Sequence, residues 1–418
     1  MLELTVAKNV LNRILFEHQD FKIALKSEIS SKKRANKSDL NGVVSHLIIA
    51  ELRHHILFKM IVERLGEKYT TDDLSYIYLL FTCKFFVKDF DFEKVNTDVK
   101  AFLKKDKYLP LTKVLENDDP FAFLNLNQKS KKYIACKYNI PPWIIDLWSD
   151  QYGQNFTVKI AHALSQPKEL TYRVNSLYEN VEDILKVNSD IFSETEVQDL
   201  YLAKQKDLQK AQMPKDFIFV EDINLKKIAD KYTNDFLNEV TIYSGSDDIL
   251  PLEFLIRSKL EMGINIPCPF IEEKATLMRV AREFNARNMN AFLAHDLIKM
   301  KTGISRPTEV VYCNPKSSSF GKINSKPDYL VHLRMSELQK MVKMQKEAIE
   351  NCAQFVCNDG VLIYIVDTIN KNETINVVAN FISKHPEFSI IEEEQLYPQS
   401  ANGSTLYYAV LKLEKNDD

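Results

Sequence analysis

Apolar positions in the first part of the chain recur every three to four residues, the spacing of one helix face. In "AKNVLNRILFEHQDFKIAL" this spacing puts Val10, Ile14 and Leu15 together. "NGVVSHLIIAELRHHILFKMIVERLG" reads as one longer helix stopped by Gly66. His54 and His55 then fall mid-helix, about 100° apart, and form no joint site. "DDLSYIYLLFTCKFFVKDF" is apolar nearly all round, which predicts a buried central helix. The basic stretch "SEISSKKRANKSDLNG" between the first two patterns reads as a loop.

The periodicity changes after "NIPPWIIDLWSDQYG", where a Pro-Pro pair ends the preceding element. "ELTYRVNSL" and "DFIFVEDI" read as strands, while "NVEDILKVNSDIF" and "NLKKIADKYTNDFL" carry helical spacing. Beyond them strand and helix alternate. "NAFLAHDLI", "EVVYCNP" and "GVLIYIVDT" are apolar strands with polar ends. A long helix aligns Leu338, Met341, Val342, Gln345, Ile349, Cys352 and Val356 along one side. Two last strands, "FSIIEEEQLY" and "STLYYAVLKL", have no helix between them, so the final strand pairs antiparallel. The expected organisation is all-helical over 1–145, small α+β over 146–235, and α/β with a mostly parallel sheet over 236–418.

Composition narrows the chemistry. The 418 residues are 45% hydrophobic and 27% charged, as in soluble globular proteins, and the length allows several cores. The net charge of -3 supplies no global field for a polyanion, so any basic surface is local. The N-terminus has no apolar signal segment and no run is long enough to span a bilayer, which predicts a cytoplasmic protein without a membrane. Six scattered cysteines and eight histidines show no CxxC, HxH or HExxH, so no metal is expected. Only nine glycines occur and GxG is absent, which excludes the usual glycine-rich nucleotide loops.

Several stretches, in order, resemble the RsmB-type branch of the RsmB/NOP family of ribosomal RNA 5-methylcytosine methyltransferases. "NIPPWIIDLWSDQYG" is similar to the family's "P.WL...L...YG", and "LTYRVNSL" to its "LRVNTLK". "SKPD", followed by "ELQKMVKMQKEAIENCAQFVCNDGVLIY", resembles "RKPDI…L..LQ..IL..A...LK.GG.LVY". Asn370-Lys371-Asn372-Glu373 resembles "xxEEN". The resemblance implies a NusB-like helical domain, an RRM-like domain and a Rossmann-like class I methyltransferase domain. It also implies S-adenosylmethionine as methyl donor and ribosomal RNA as partner.

The family's active residues are not matched. Its strand ends "STC", whose cysteine attacks the pyrimidine ring; here that position is Asp367. In the loop matching "DAPCSGLG", Cys313 stands for the acid and Lys316 for the second cysteine. The donor loop "DxCAAPGGKT" falls in "TIYSGSDDILPLEFLIRSKLEMG", and the ribose-binding acid falls near Cys268. Asp296, in "AHDLIK", matches the family's "GDAR" acid, so Asp296 and Cys313 are the candidate donor-side residues.

Each candidate has a plainer reading. Cys313 is an alternative nucleophile or a small packing residue. Lys316, with Ser317 to Ser319, contacts phosphate or lies in a solvated loop. Asp296 contacts an adenine or caps a helix. Arg173 and Asn175 contact RNA or lock the small domain onto its neighbour. Lys32, Lys33, Arg34 and Lys37 bind RNA phosphates or form a soluble tip. Trp143 and Trp148 suit packing between domains better than base stacking. Asp367 is expected to be a solvated strand-end residue. The leading expectation is a monomeric RNA-binding protein with little or no methyl transfer. An active methyltransferase with a remodelled donor loop and a protein-interaction module are the alternatives.

Overall fold

The computed structural model describes residues 1–32, 37–166, 170–233, 238–245, 249–257, 262–268, 271–293, 307–325, 328–398 and 405–414. The chain forms two compact units, Met1–Ser165 with Ile323–Arg334, and Gln166–Lys322 with Met335–Asp418.

The first unit is helical. Helix Leu2–Leu15 buries Val10, Ile14 and Leu15, the face its spacing predicts. Helix Thr71–Phe85 buries every residue from Ile77 to Cys83. It opens with a capping box in which Asp73 N donates to Thr70 Oγ1 and Thr70 N donates to Asp73 Oδ2. The long helix expected around His54 is two helices, Lys37–Leu52 and His55–Leu65. Asn139 makes the break stable. Its Nδ2 donates to Leu52 O at 2.6 Å, and its Oδ1 accepts from Ile56 N at 3.0 Å. One side chain thus satisfies an orphan carbonyl and an orphan N–H of adjoining helix ends. His54 stacks on Phe86 with centroids 3.5 Å apart, and burial pushes its pKa down to about 4.

The Pro-Pro pair opens another helix rather than ending the helical part. Pro142 sits in the first turn of Pro142–Tyr152, where a missing N–H costs nothing. Helix Gln154–Ser165 follows, so the helical unit extends past residue 145. Trp148 is fully buried within it. Val331, from the distant segment Ile323–Arg334, packs on the same core, and Phe21 N donates to Asp328 Oδ2 at 3.0 Å.

The second unit begins with four short strands: β1 (Leu170–Val174), β2 (Ser193–Glu194), β3 (Leu200–Ala203) and β4 (Ile218–Val220). Their order is β2-β3-β1-β4, with antiparallel pairing throughout. Helices Val181–Val187 and Gln205–Leu208 complete a split βαββαβ pattern.

The larger sheet comprises β5 (Glu239–Ser244), β6 (Gly263–Cys268), β7 (Met289–Leu293), β8 (Thr308–Asn314), β9 (Val356–Val366), β10 (Phe388–Leu396) and β11 (Leu406–Leu413). Its order is β10-β11-β9-β8-β5-β6-β7. Strands β5 to β9 run parallel, while β11 is antiparallel to both its neighbours. Residues alternate between two cores because successive side chains leave opposite faces. On β9, Ile363 and Ile365 face one core, and Leu362, Tyr364 and Val366 face the other. Helices Met335–Ala353 and Ile375–Ile382 supply Ile349, Cys352, Val377 and Phe381 to the second core. Phe254, Leu277 and Val280 of helices Ile249–Arg257 and Ile271–Glu283 fill the first. This doubly wound sheet is the Rossmann-like α/β fold expected. Its strand order reverses between β5 and β8, and the crevice outside such a switch point is where α/β sheets bind ligands.

Among the described residues, no helix is long and apolar enough to cross a membrane, and no group of three or more metal-ligating side chains converges.

Asn139 sits in the left-handed region at φ 53°. Asn139→Gly keeps that conformation and loses both caps, so urea unfolding should show a loss of about 2 kcal/mol. Asn139→Ala should lose more, because alanine strains there. Wild-type stability in both variants would show that the helix break does not depend on this side chain.

Candidate active site at the carboxyl edge of the sheet

Two loops leave the carboxyl ends of the parallel strands β8 and β9, paired as far as Cys313 and Tyr364. One is Pro315–Ser319; the other runs from Asp367 to Thr374. A single buried carboxylate, Glu373, joins them. Its Oε1 accepts from Ser318 N at 2.7 Å and Gln345 Nε2 at 3.0 Å. Its Oε2 accepts from Ser318 Oγ at 2.6 Å, Asn370 Nδ2 at 2.9 Å and Thr368 Oγ1 at 3.4 Å. Glu373, Ser318, Thr368, Asn370 and Gln345 are all fully buried. Burial pushes the Glu373 pKa up, and the surrounding donors pull it back. Gln345 also donates to Lys316 O at 3.0 Å, so helix Met335–Ala353 grips the same loop.

Asp367 is part of this lock and not a solvated residue. It is 8% exposed. Its carboxylate accepts from Ser317 Oγ, and from Ser319 Oγ at 3.3 Å. Its carbonyl accepts from Gly321 N at 3.1 Å. A Cβ on Gly321 would lie 2.5 Å from Thr405 O, so only glycine lets the chain pass there. The carboxylate at the family's nucleophile position therefore serves as a hydrogen-bond acceptor for the serine loop.

The other two strand-edge candidates separate. Cys313 is fully buried beside Cys352, and burial pushes its thiol well above its usual range. A thiol held neutral is a poor nucleophile, and here it packs in the core behind the sheet edge. Lys316 has an exposed side chain on a backbone fixed by Gln345.

The described residues at the switch point do not fit a nucleotide-type donor. Gly245 N donates to Asn314 O at 2.9 Å, carrying the β5–β8 pairing beyond the strand ends. A Cβ on Gly245 would stand 3.1 Å from Lys316 N, so the two turns touch backbone to backbone. Strand β6 ends on Cys268, which is buried and whose Sγ donates to Ile266 O at 3.5 Å, where a ribose would need a carboxylate. Asp296 lies outside the described residues.

Arg173 is buried in an ion-pair cluster that ties the small sheet to the larger one, while Asn175 is bonded within the small sheet's own loops. Arg173 is 3% exposed. Its Nε lies 2.6 Å from Glu253 Oε2 and its Nη1 lies 3.0 Å from Asp199 Oδ2. Lys226 pairs with Glu253 and Asp230, and Arg257 pairs with Asp230. Glu221 lies 4.0 Å from Arg173; burial and then Glu253 push its pKa well above the usual carboxylate range. Phe219 of β4 meets Phe284 with centroids 5.8 Å apart. The β1–β4 sheet thus turns Arg173 toward Glu253 of helix Ile249–Arg257 and Phe219 toward Phe284, just past helix Ile271–Glu283. Asn175 is buried and shapes a turn, accepting from Leu177 N and donating to Asp216 O. Of the basic loop, Lys33 and Arg34 lie outside the described residues. Lys37 Nζ lies 3.5 Å from Ser30 O, and Lys32 is half-buried.

Sequence reasoning missed the lock itself. Its signal was Gln345, one polar residue inside an otherwise apolar helix stripe.

No protein-family model matches the chain. Over 269 residues it is 22% identical to the probable ribosomal RNA small subunit methyltransferase B of Bacillus subtilis, covering 61% of this chain and 58% of that protein. Over 122 residues it is 24% identical to ribosomal RNA small subunit methyltransferase B of Thermus thermophilus, covering 29% and 31%. The chain thus spans less than two thirds of either relative. The crystal structure of PH0851 superposes over 99% of both chains with a TM-score of 0.73 and 16% identity. NSun6 from Pyrococcus horikoshii, solved with SFG, superposes over 65% of this chain and 98% of its own, with a TM-score of 0.54 and 11% identity. The fold is that of the Rossmann-like methyltransferases. Within that class, the chain is similar in sequence to ribosomal RNA small subunit methyltransferase B proteins, which supports the RsmB/NOP family.

Glu373→Ala should lower stability by about 3 kcal/mol or more, since it strands several buried donors. Glu373→Gln should also destabilise, because it sets an amide N–H against donors. Denaturant unfolding of both tests this; a wild-type midpoint for both would show that the hub does not hold the loops. Arg173→Met should cost about 3–5 kcal/mol, because Glu253 then stays buried without its closest cation. A loss below about 1 kcal/mol, the range of exposed ion pairs, would show that solvent reaches the cluster.

Proposed function

We propose that this chain is an RNA-binding member of the RsmB/NOP family in which cytosine-C5 methyl transfer is lost or strongly reduced. The observation that carries this reading is Asp367, a carboxylate at the nucleophile position tied down by Ser317 and Ser319. Carbon–carbon methylation of cytosine needs a thiolate-like group free to add to the ring, with a donor about 3 Å from the reacting carbon. A carboxylate already accepting hydrogen bonds from two serine hydroxyls and only 8% exposed is a poor attacking group. The closed β5–β8 turn supports the same conclusion for the donor.

RNA as the partner is supported by the relatives, whose names give ribosomal RNA methyltransferases. The helical unit supports a NusB-like assignment, and the β2-β3-β1-β4 order supports an RRM-like one. The family resemblance extends these to a cytoplasmic, monomeric protein acting on ribosomal RNA. A second reading, an active S-adenosylmethionine-dependent enzyme with a remodelled site, is favoured by the P. horikoshii neighbour, which was solved with the donor analogue SFG.

Two measurements decide between them. Calorimetric titration with S-adenosylmethionine should show no micromolar binding. A tritiated-methyl assay on unmodified ribosomal RNA should show no incorporation by wild type or by Asp367→Cys, because a thiol alone restores no donor cradle. Incorporation by wild type that is abolished in Asp367→Asn would establish a working site without cysteine and overturn the proposal.

A further inference from the structure

Between residues 129 and 138 the chain reads "KSKKYIACKY", four lysines and no acid in a protein of net charge -3. The structure turns part of this stretch into a surface. Helix Lys131–Tyr138 buries Ile134, Ala135 and Cys136 against its neighbours. Lys137 is exposed on the other side, with Tyr133 and Tyr138 half-buried beside it. Its amine does not extend away from the surface. It sits 5.9 Å from the Tyr133 ring centroid and 5.5 Å from that of Tyr138. Tyr138 in turn meets His162 edge-on, with centroids 6.1 Å apart. His162 and Lys159 are exposed and lie three residues apart on helix Gln154–Ser165, hence on one face.

Cations and rings therefore alternate across two helices. The helix between these two, Pro142–Tyr152, carries Asp146 and Asp150. Asp146 lies 2.8 Å from Lys131, and both acids act on that lysine. The stripe itself contains no acid. A solvated lysine face needs no aromatic partners. An acidic peptide would be served by the cations alone. Rings set between cations match a strand that carries a phosphate and a flat base at every step.

We propose that Lys159, His162, Tyr138, Lys137 and Tyr133 form a platform for single-stranded RNA, with the lysines on phosphates and the rings under bases. This rests on the RNA-binding reading and names the surface that carries it. No base-specific contact is involved, so the platform is tolerant of sequence and its affinity falls with salt.

The test is fluorescence anisotropy of the full chain with a labelled single-stranded RNA of about 12 nucleotides, within the span of such platforms. Lys137→Glu with Lys159→Glu should weaken binding about ten-fold and lower the salt slope by about 1.4, as two phosphate contacts require. Tyr138→Leu should also weaken binding about ten-fold but leave the slope unchanged, because stacking releases no counterions. Circular dichroism melts establish that the variants are folded. Wild-type affinity and slope in both variants would place RNA elsewhere and overturn the platform while the RNA-binding reading stands. No RNA binding by wild type, with binding of an acidic polypeptide such as polyglutamate, would overturn both.

Discussion

One buried carboxylate organises the sheet edge on which any chemistry of this fold would take place. Glu373 receives hydrogen bonds from the serine loop, from its own loop and from helix Met335–Ala353. A carboxyl group is tolerated at zero exposure only when protein partners replace its water. Here they come from three segments distant in sequence, so the carboxylate forces those segments into one arrangement. The pull is reciprocal: the donors satisfy the carboxyl group, and the carboxyl group holds the loops.

The same principle docks the small sheet. Arg173, Lys226 and Arg257 face Glu253, Asp199 and Asp230, and Glu221 completes the cluster with its pKa raised. Burying such a cluster adds little stability over an apolar contact of equal volume. It does specify one docking geometry, since any slip would strand a charge. The face of β1 and β4 that carries Arg173 and Phe219 is spent on holding the unit together.

The architecture of the sheet and the residues at its carboxyl edge depend on different positions. The alternating apolar residues of β9 and β11 pack both faces of the sheet whatever stands at the strand end. The end position then tolerates an aspartate, provided something satisfies it, and Ser317 and Ser319 do so. At the switch point, a Cβ on Gly245 would stand 3.1 Å from Lys316 N, so glycine lets the two backbones meet there.

Periodicity and local chemistry were sufficient for much of this. The buried helix Thr71–Phe85, the strands β8 and β9, the antiparallel last strand and the α/β class all follow from spacing, which depends only on neighbours in sequence. The absence of a glycine-rich loop and of the motif cysteines was equally visible. The break at His54 was not, because the side chain that stabilises it, Asn139, is far along the chain. Nor was the burial of Asp367 and Arg173. A polar residue at a strand end or in a strand looks solvent-facing until the fold brings its partners to it. Ser317, Glu253 and Glu373 reach their partners only through strand order and helix packing. The sequence determined which elements form and which motif residues are absent; only tertiary structure decided which polar groups are locked away, because burial is set by contacts that no local pattern encodes.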